Sequence, residues 1–392
     1  MSIVVPDGLP REAYLAALCS LPGMTTARRR LLLARHSPRT AVAVACGEEP
    51  DSVFAEHLVA HARERTGPQE WSTRWRSHLE RFPVESSLES LEACAAAVLV
   101  RGDSGYPSVL DDDPDAPPVL FVRGDPSVLD GRRAAVVGTR SATSAGLRWA
   151  TDLGRALADA GVRVVSGLAR GVDAAAHRGA LAASSPESGP PVAVVASGPD
   201  VVYPRENAAL WQQVAECGLL VSEHPPGTEP TAHGFPQRNR ILAALAEVVV
   251  VVESRDSGGS LITVRHAVER DIGVMAVPGS VASRASDGTN RLIRDGIATA
   301  ALDATDVLVA LGLDSRRAGG RRFDPRPRPA ADEQALLDLI GGDAVSIDEL
   351  VLRTDGDVVD IAVRLGRLER AGWVLRSGGW FVMNPDPSGV NR

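Results

Sequence analysis

The spacing of apolar positions changes along the chain. Between residues 11 and 65 they fall at helical intervals, with Leu15, Leu18 and Leu21 followed by Leu31 to Leu33, which predicts short helices. Trp71, Trp75 and Leu79 continue at i, i+4 and i+8, one helical stripe suited to core packing. From residue 96 the pattern shortens to strand-sized runs, Ala96–Val100 and Val119–Val122. From Ala134 such runs alternate with helical stretches: Ala134–Val137, Val162–Ser166, Val192–Ala196, Leu219–Ser222, Val248–Val252 and Val274–Val277. β-Branched runs separated by helices predict a parallel sheet covered on both faces. Ligands of such sheets sit at the carboxyl ends of the strands, so function is to be sought directly after each run.

Beyond residue 313 the pattern changes again. Residues 314–330, rich in Arg, Gly and Pro, read as a linker. Residues 331–385 read as a compact unit with a helix over Asp332–Ile340 and a second helix capped by Ser346, with Glu349 completing a capping box. A third helix spans Val359–Ala371, and Trp373–Leu375 and Trp380–Val382 flank Ser377-Gly378-Gly379 as a hairpin. Three helices and a hairpin make a winged helix. The organisation is then a helical N-terminal domain at 1–95, an α/β core at 96–313, the linker, and the winged helix. Pro22-Gly23-Met24 is similar to half of a helix-hairpin-helix, but Thr25 stands where its second glycine belongs, and a plain helical turn is expected.

Composition removes several chemistries. All 42 basic residues are arginine. Without lysine there is no Walker A loop, no kinase phosphate-pairing lysine and no pyridoxal Schiff base. Cys19, Cys46, Cys94 and Cys217 have no metal or redox spacing and suit reduced thiols in a cytoplasm. No apolar run approaches the roughly 18 residues that span a bilayer, and no secretory signal is seen. The net charge of −8 argues against a large indiscriminate nucleic-acid surface. Residues 331–392 carry 6 basic and 11 acidic groups, a net of −5, whereas residues 131–313 carry 17 and 18 and are nearly neutral. Any nucleic-acid site is therefore a local groove in the core.

The loops after the strands hold the candidate chemistry. Gly138-Thr139-Arg140 leads into a helix whose N-terminus suits an anion. Arg140 replaces the second glycine of a dinucleotide fingerprint and Ser166 replaces its acid, which excludes NAD and FAD. Ser166, Asp173 and His177 resemble a hydrolytic set, but Asp173 is expected as a helix N-cap with His177 on the same face. Asp111-Asp112-Asp113-Pro114-Asp115 reads as a solvated turn, and a metal site from His224 and His233 lacks supporting spacing. Tyr203 suits stacking and packing equally. Phe235-Pro236-Gln237-Arg238-Asn239-Arg240 puts an aromatic and two guanidiniums in a predicted loop before a helix opening at Ile241. A ring stacks on any base and guanidiniums hold phosphates. Taken alone, the segment reads as a Phe under its own loop with solvated arginines, and the neighbouring loops reverse that reading. Ser257-Gly258-Gly259-Ser260, before a helix from Leu261, suits a phosphate on backbone N–H groups. Several loops at one edge offer anion contacts and none offers an acid–base pair, so binding without chemistry, cofactor or metal is expected.

Together these residues closely resemble the DprA/Smf family of DNA-processing proteins. The resemblance covers about residues 100–313 in order: Gly138-Thr139-Arg140, Ser166-Gly167-Leu168-Ala169 with Asp173 and His177, Tyr203-Pro204 with Asn207, Phe235 to Arg240, Ser257 to Thr263, Pro278-Gly279, and Gly288-Thr289-Asn290. It implies an α/β fold with an extended Rossmann-like core, flanked by the helical N-terminal domain and the winged helix. It implies a homodimer that binds single-stranded DNA, protects incoming DNA and loads the RecA recombinase in natural transformation, acting as no enzyme. Carried over, Arg140 clamps a phosphate and Phe235 stacks on a base. Arg238, Asn239, Arg240 and Ser257, Gly258, Gly259 and Ser260 line the groove, and Arg170 is counted with them. The chain departs from the family in lacking groove lysines, in Ser197-Gly198-Pro199, and in its acidic winged helix. Two other classes stay open. A phosphoribohydrolase on a related core carries a catalytic Glu after its glycine turn, and here no carboxylate follows until Glu269. The other is a protein-interaction scaffold.

Overall fold

The structure, a computed structural model, describes residues 5–60, 66–313, 326–327, 329–340, 344–354 and 356–384. Residues 314–325 and 328 of the expected linker lie outside them. The chain divides into two compact units, residues 1–318 and 319–392.

The first unit opens with helices α1 (Arg11–Ser20), α2 (Thr26–Leu33), α3 (Pro38–Ala45), α4 (Ser52–Ala60), α5 (Pro68–Arg81) and α6 (Val84–Ala93). Local chemistry starts them: Thr25 and Ser37 accept the N–H groups of Arg28 and Thr40, and Pro38 fills the first position of α3. The expected stripe on α5 is internal, with Trp75 fully buried and its indole N–H donating to the Pro22 carbonyl at 2.9 Å. The Pro22–Met24 turn is closed by the neighbouring Trp71, whose ring lies 2.7 Å from where a Gly23 Cβ would stand, so it is a packing turn.

A nine-stranded sheet follows. In chain order its elements are β1 (Ala97–Val100), β2 (Val119–Gly124), β3 (Arg133–Val137), α7 (Ser144–Asp159), β4 (Arg163–Ser166), α8 (Val172–Leu181), β5 (Val192–Val195), α9 (Ala208–Cys217), β6 (Leu219–Ser222), α10 (Gly234–Ala244), β7 (Val248–Val251), α11 (Ser260–Val268), β8 (Gly273–Ala276), α12 (Asp287–Arg294), β9 (Thr299–Ala300) and α13 (Ala304–Ala310). Strand order is β1-β2-β6-β5-β4-β3-β7-β8-β9. The six strands read from periodicity are parallel, with β9 added parallel at one edge. The two shorter runs before them, whose direction the pattern does not set, extend the other edge, where β2 runs antiparallel to β6 and β1 antiparallel to β2. Alternate residues serve opposite faces: Ala134, Val136, Val248 and Val250 pack under α7 and α8, and Ala135, Val137, Val249 and Val251 under α10 and α11. The chain lays β3 to β6 in one direction, then returns to place β7 and β8 on the other side of β3. The carboxyl ends of β3 and β7 are thus the switch point, where such sheets leave a crevice.

The acidic turn is not simply solvated. Asp113 and Asp115 meet the Arg270 guanidinium at 3.0 and 3.4 Å, and Asp113 is nearly buried.

The second unit contains α14 (Ala331–Ile340), β10 (Val345–Ser346), α15 (Ile347–Thr354), α16 (Val358–Arg370), β11 (Val374–Ser377) and β12 (Trp380–Met383), a winged helix with sheet order β10-β12-β11. The Ser346 hydroxyl caps α15 by accepting the Glu349 N–H at 3.2 Å.

Candidate nucleic-acid interface

A cleft of about 760 Å³ opens at the β3/β7 switch point. One wall is the loop from Gly138 to Arg140, another the first turns of α10, and a third the Arg255–Thr263 segment leading into α11. Arg140 lies exposed with its guanidinium 5.1 Å from the centroid of the Phe235 ring. Phe235 in turn leans on Tyr203, ring centroids 5.2 Å apart. Across the cleft, the N-terminus of α11 is preceded by Ser257-Gly258-Gly259 and carries no side-chain cap. Leu261 and Ile262 donate to the Gly258 and Gly259 carbonyls, and the positive end of the helix with its earlier N–H groups suits a phosphate.

The Phe235 segment is helical, not a loop. α10 begins at Gly234, seven residues before the expected start at Ile241. Pro236 falls in the first turn, where its missing N–H costs nothing. The helix separates residues that a loop would have held together. Phe235, Arg238, Asn239 and Leu242, at i, i+3, i+4 and i+7, face the cleft, and Arg240 faces away from it.

Three arginines assigned to the groove therefore do other work. Arg238 lies beneath the cleft, 7% exposed, donating to the Gly167 carbonyl at 2.9 Å and to the Val194 carbonyl. Burial lowers its pKa to about 10, against the pull of Asp173. Gly167 leaves room for it, because a Cβ there would fall 2.4 Å from the Arg238 guanidinium and would displace it. Arg240 pairs with buried Glu223 and donates to the Asp115 carbonyl at 2.7 Å. Arg170 pairs with Glu206 on the surface and does not line the cleft.

The helix N-terminus after Gly138 is also not the open anion site expected. Thr143 caps α7 by accepting the Gly146 N–H, and the Glu253 carboxylate sits on the same turn. The remaining Ser–Asp–His set is structural. The Ser166 hydroxyl donates to the Val136 carbonyl at 2.6 Å, and burial pushes the His177 pKa down to about 3. Asp173 is not the N-cap of α8, a position held by Gly171. It lies inside the first turn and accepts the Gly167 N–H at 3.1 Å. Among the described residues lining the cleft it is the one carboxylate, and it is buried and committed. No group of three His, Cys, Asp or Glu suited to a metal occurs among the described residues.

Two groups were missed from the sequence. Arg255, exposed on the cleft wall, makes no ion pair among the described residues. It lies directly after β7, in the kind of loop that the strand pattern singles out. Glu253 precedes it by two positions and gave no signal beyond its place at a strand end.

Comparison with known proteins identifies the family. A family model described as DNA recombination-mediator protein A matches residues 97–312, and one described as the DprA winged helix domain matches residues 323–379. The chain is 32% identical over 335 residues to Protein Smf of Escherichia coli, covering 83% of this chain and 87% of that one. It is 40% identical over 278 residues to a putative DNA processing protein DprA of Mycobacterium tuberculosis, covering 68% and 69%. Among solved structures, DprA of Streptococcus pneumoniae superposes with a TM-score of 0.62 at 30% identity, covering 76% of this chain and 97% of that one. Helicobacter pylori DNA processing protein A, solved for its single-stranded DNA binding mode, gives 0.50 at 29% identity, covering 55% and 95%. The chain belongs to the DprA/Smf family of DNA-processing proteins.

Proposed function

We propose that this chain binds single-stranded DNA in the β3/β7 cleft and delivers it to the RecA recombinase, as a homodimer in the cytoplasm, during transformation or recombination. The observation that carries the DNA reading is one juxtaposition. Exposed Arg140 and Arg255 and the uncapped α11 N-terminus surround the Phe235–Tyr203 ring pair, with no free carboxylate on the described lining. Cationic groups track a backbone and a half-buried ring stacks on bases without regard to sequence. Recombinase loading and the dimer rest on family membership. No helix among the described residues is long and apolar enough to cross a membrane.

The winged helix serves as a protein-binding or regulatory module in this reading. Its Arg364 is paired with Asp332 and Asp360, and α16 exposes Val359 and Val363 as well as Arg367 and Arg370, a mixed apolar and charged face. A chain ended at Gly312 is expected to keep most of the single-strand affinity.

Phe235→Ala is expected to weaken binding by about 1–3 kcal/mol, the worth of one base stack, with little change in salt dependence. Arg140→Ala is expected to make the log–log salt slope shallower by about 0.7, one phosphate on a single strand. Fluorescence-anisotropy titration of a labelled oligothymidylate at several salt concentrations checks both. A Phe235→Ala variant that melts lower yet binds as before would mean that the ring only packs.

A further inference from the structure

Glu253 holds the Arg140 loop at both ends. Its main-chain carbonyl accepts the Thr139 N–H at 2.8 Å. Its carboxylate accepts the Thr143 N–H at 2.9 Å and the Thr143 hydroxyl at 2.5 Å. Thr143 passes the order on, accepting the Gly146 N–H at 3.1 Å. The fit is close: a Cβ on Gly146 would lie 2.4 Å from the Glu253 carboxyl carbon, and Glu253 is only 8% exposed. Arg140 itself sits between the two anchored residues and reaches over the Phe235 ring.

In a dinucleotide-binding sheet the N-terminus of the helix after the first strand receives a pyrophosphate. Here the chain supplies its own anion to that place. We propose that Glu253 is a positioning residue for DNA binding: its carboxylate occupies the α7 N-terminus in place of a phosphate and fixes the Thr139–Thr143 loop so that Arg140 faces the cleft. The backbone phosphates are thereby directed to Arg140 and to the α11 N-terminus. The proposal rests on the reading of Arg140 as a phosphate contact.

A double-mutant cycle on the full-length chain tests it, with oligothymidylate affinity measured over a range of salt for Arg140→Ala, Glu253→Gln and the two combined. Glutamine keeps the shape but cannot accept both bonds. Each single variant is expected to lose about ten- to a hundredfold in affinity, the worth of a charge-assisted hydrogen bond. Each should also make the salt slope shallower by about 0.7. The double variant should match Arg140→Ala within about twofold, because the second change removes a contact already gone. Thr143→Val should reproduce Glu253→Gln, and Thr143→Ser, which keeps the hydroxyl, should bind like the unaltered chain. If Glu253→Gln fails to fold, Thr143→Val takes its place in the cycle. Losses that multiply, or a Glu253→Gln variant with an unchanged salt slope, overturn the positioning role alone. An Arg140→Ala variant with full affinity overturns the groove reading and the proposal with it.

Discussion

Replacing Glu223 with glutamine is expected to remove about 3–5 kcal/mol of stability, the cost of breaking a buried ion pair from one side. The Glu223 side chain is 7% exposed and that of its partner Arg29 5%. Arg29 on α2 donates to the carboxylate at 2.7 Å and to the main-chain carbonyl at 3.0 Å. Thr26 donates its hydroxyl at 2.5 Å, and Arg240 on α10 closes the other oxygen. One carboxylate thus bridges two guanidiniums where the N-terminal helices meet the sheet domain. An amide of the same shape leaves both cations uncompensated. Burial pushes the Glu223 carboxyl up, but Arg29 and Arg240 outweigh it and hold it below its ordinary value. A depressed carboxyl stabilises above its unfolded pKa, so this contribution is complete at neutral pH and is lost as pH falls through the folded value. Chemical denaturation of the variant at neutral pH measures the effect, and a loss below about 1 kcal/mol would mean that the triad is only a surface-grade pair.

Arg238→Met is expected to cost a similar amount, about 3–5 kcal/mol, by leaving buried carbonyls without their donor and a buried carboxylate without a nearby cation. Its guanidinium links the carbonyls at the ends of β4 and β5 and faces the buried Asp173 carboxylate. Removing it orphans the carbonyls and leaves Asp173, already pushed above its usual range by burial, without its cation. Combining it with Asp173→Asn should recover part of the loss, since taking away both charges is far cheaper than taking away one. Denaturation curves of the two single variants and the double decide this. A double variant that loses the sum of the two would show that Arg238 and Asp173 act independently.

Much of the fold was legible because strands buried on both faces must be apolar throughout, as Val248–Val251 are. Strand direction was not legible. Val119 to Val122 read alike whether β2 pairs parallel or antiparallel, and only the register with β6 decides. The site was legible in its loops: Gly138–Arg140, Phe235 and Ser257–Ser260 do converge on one cleft. The roles of the arginines were not. A Phe-Pro pair read as loop, and the helix beginning at Gly234 turned Arg238 beneath the floor and Arg240 toward Glu223. Helical phase assigned those roles, and a pattern broken by Pro236 did not reveal it. Glu253 escaped notice because a carboxylate after a strand ordinarily meets solvent, and its partner Thr143 is 110 residues away.

A competition titration between a single strand and a blunt duplex of the same sequence tests the central claim most directly. With Arg140, Arg255 and the α11 N-terminus each neutralising one phosphate, the single strand should bind with a log–log salt slope near −2, at about −0.7 per phosphate. The duplex, whose bases are stacked away from Phe235, should compete poorly. Equal or tighter binding of the duplex would contradict the account.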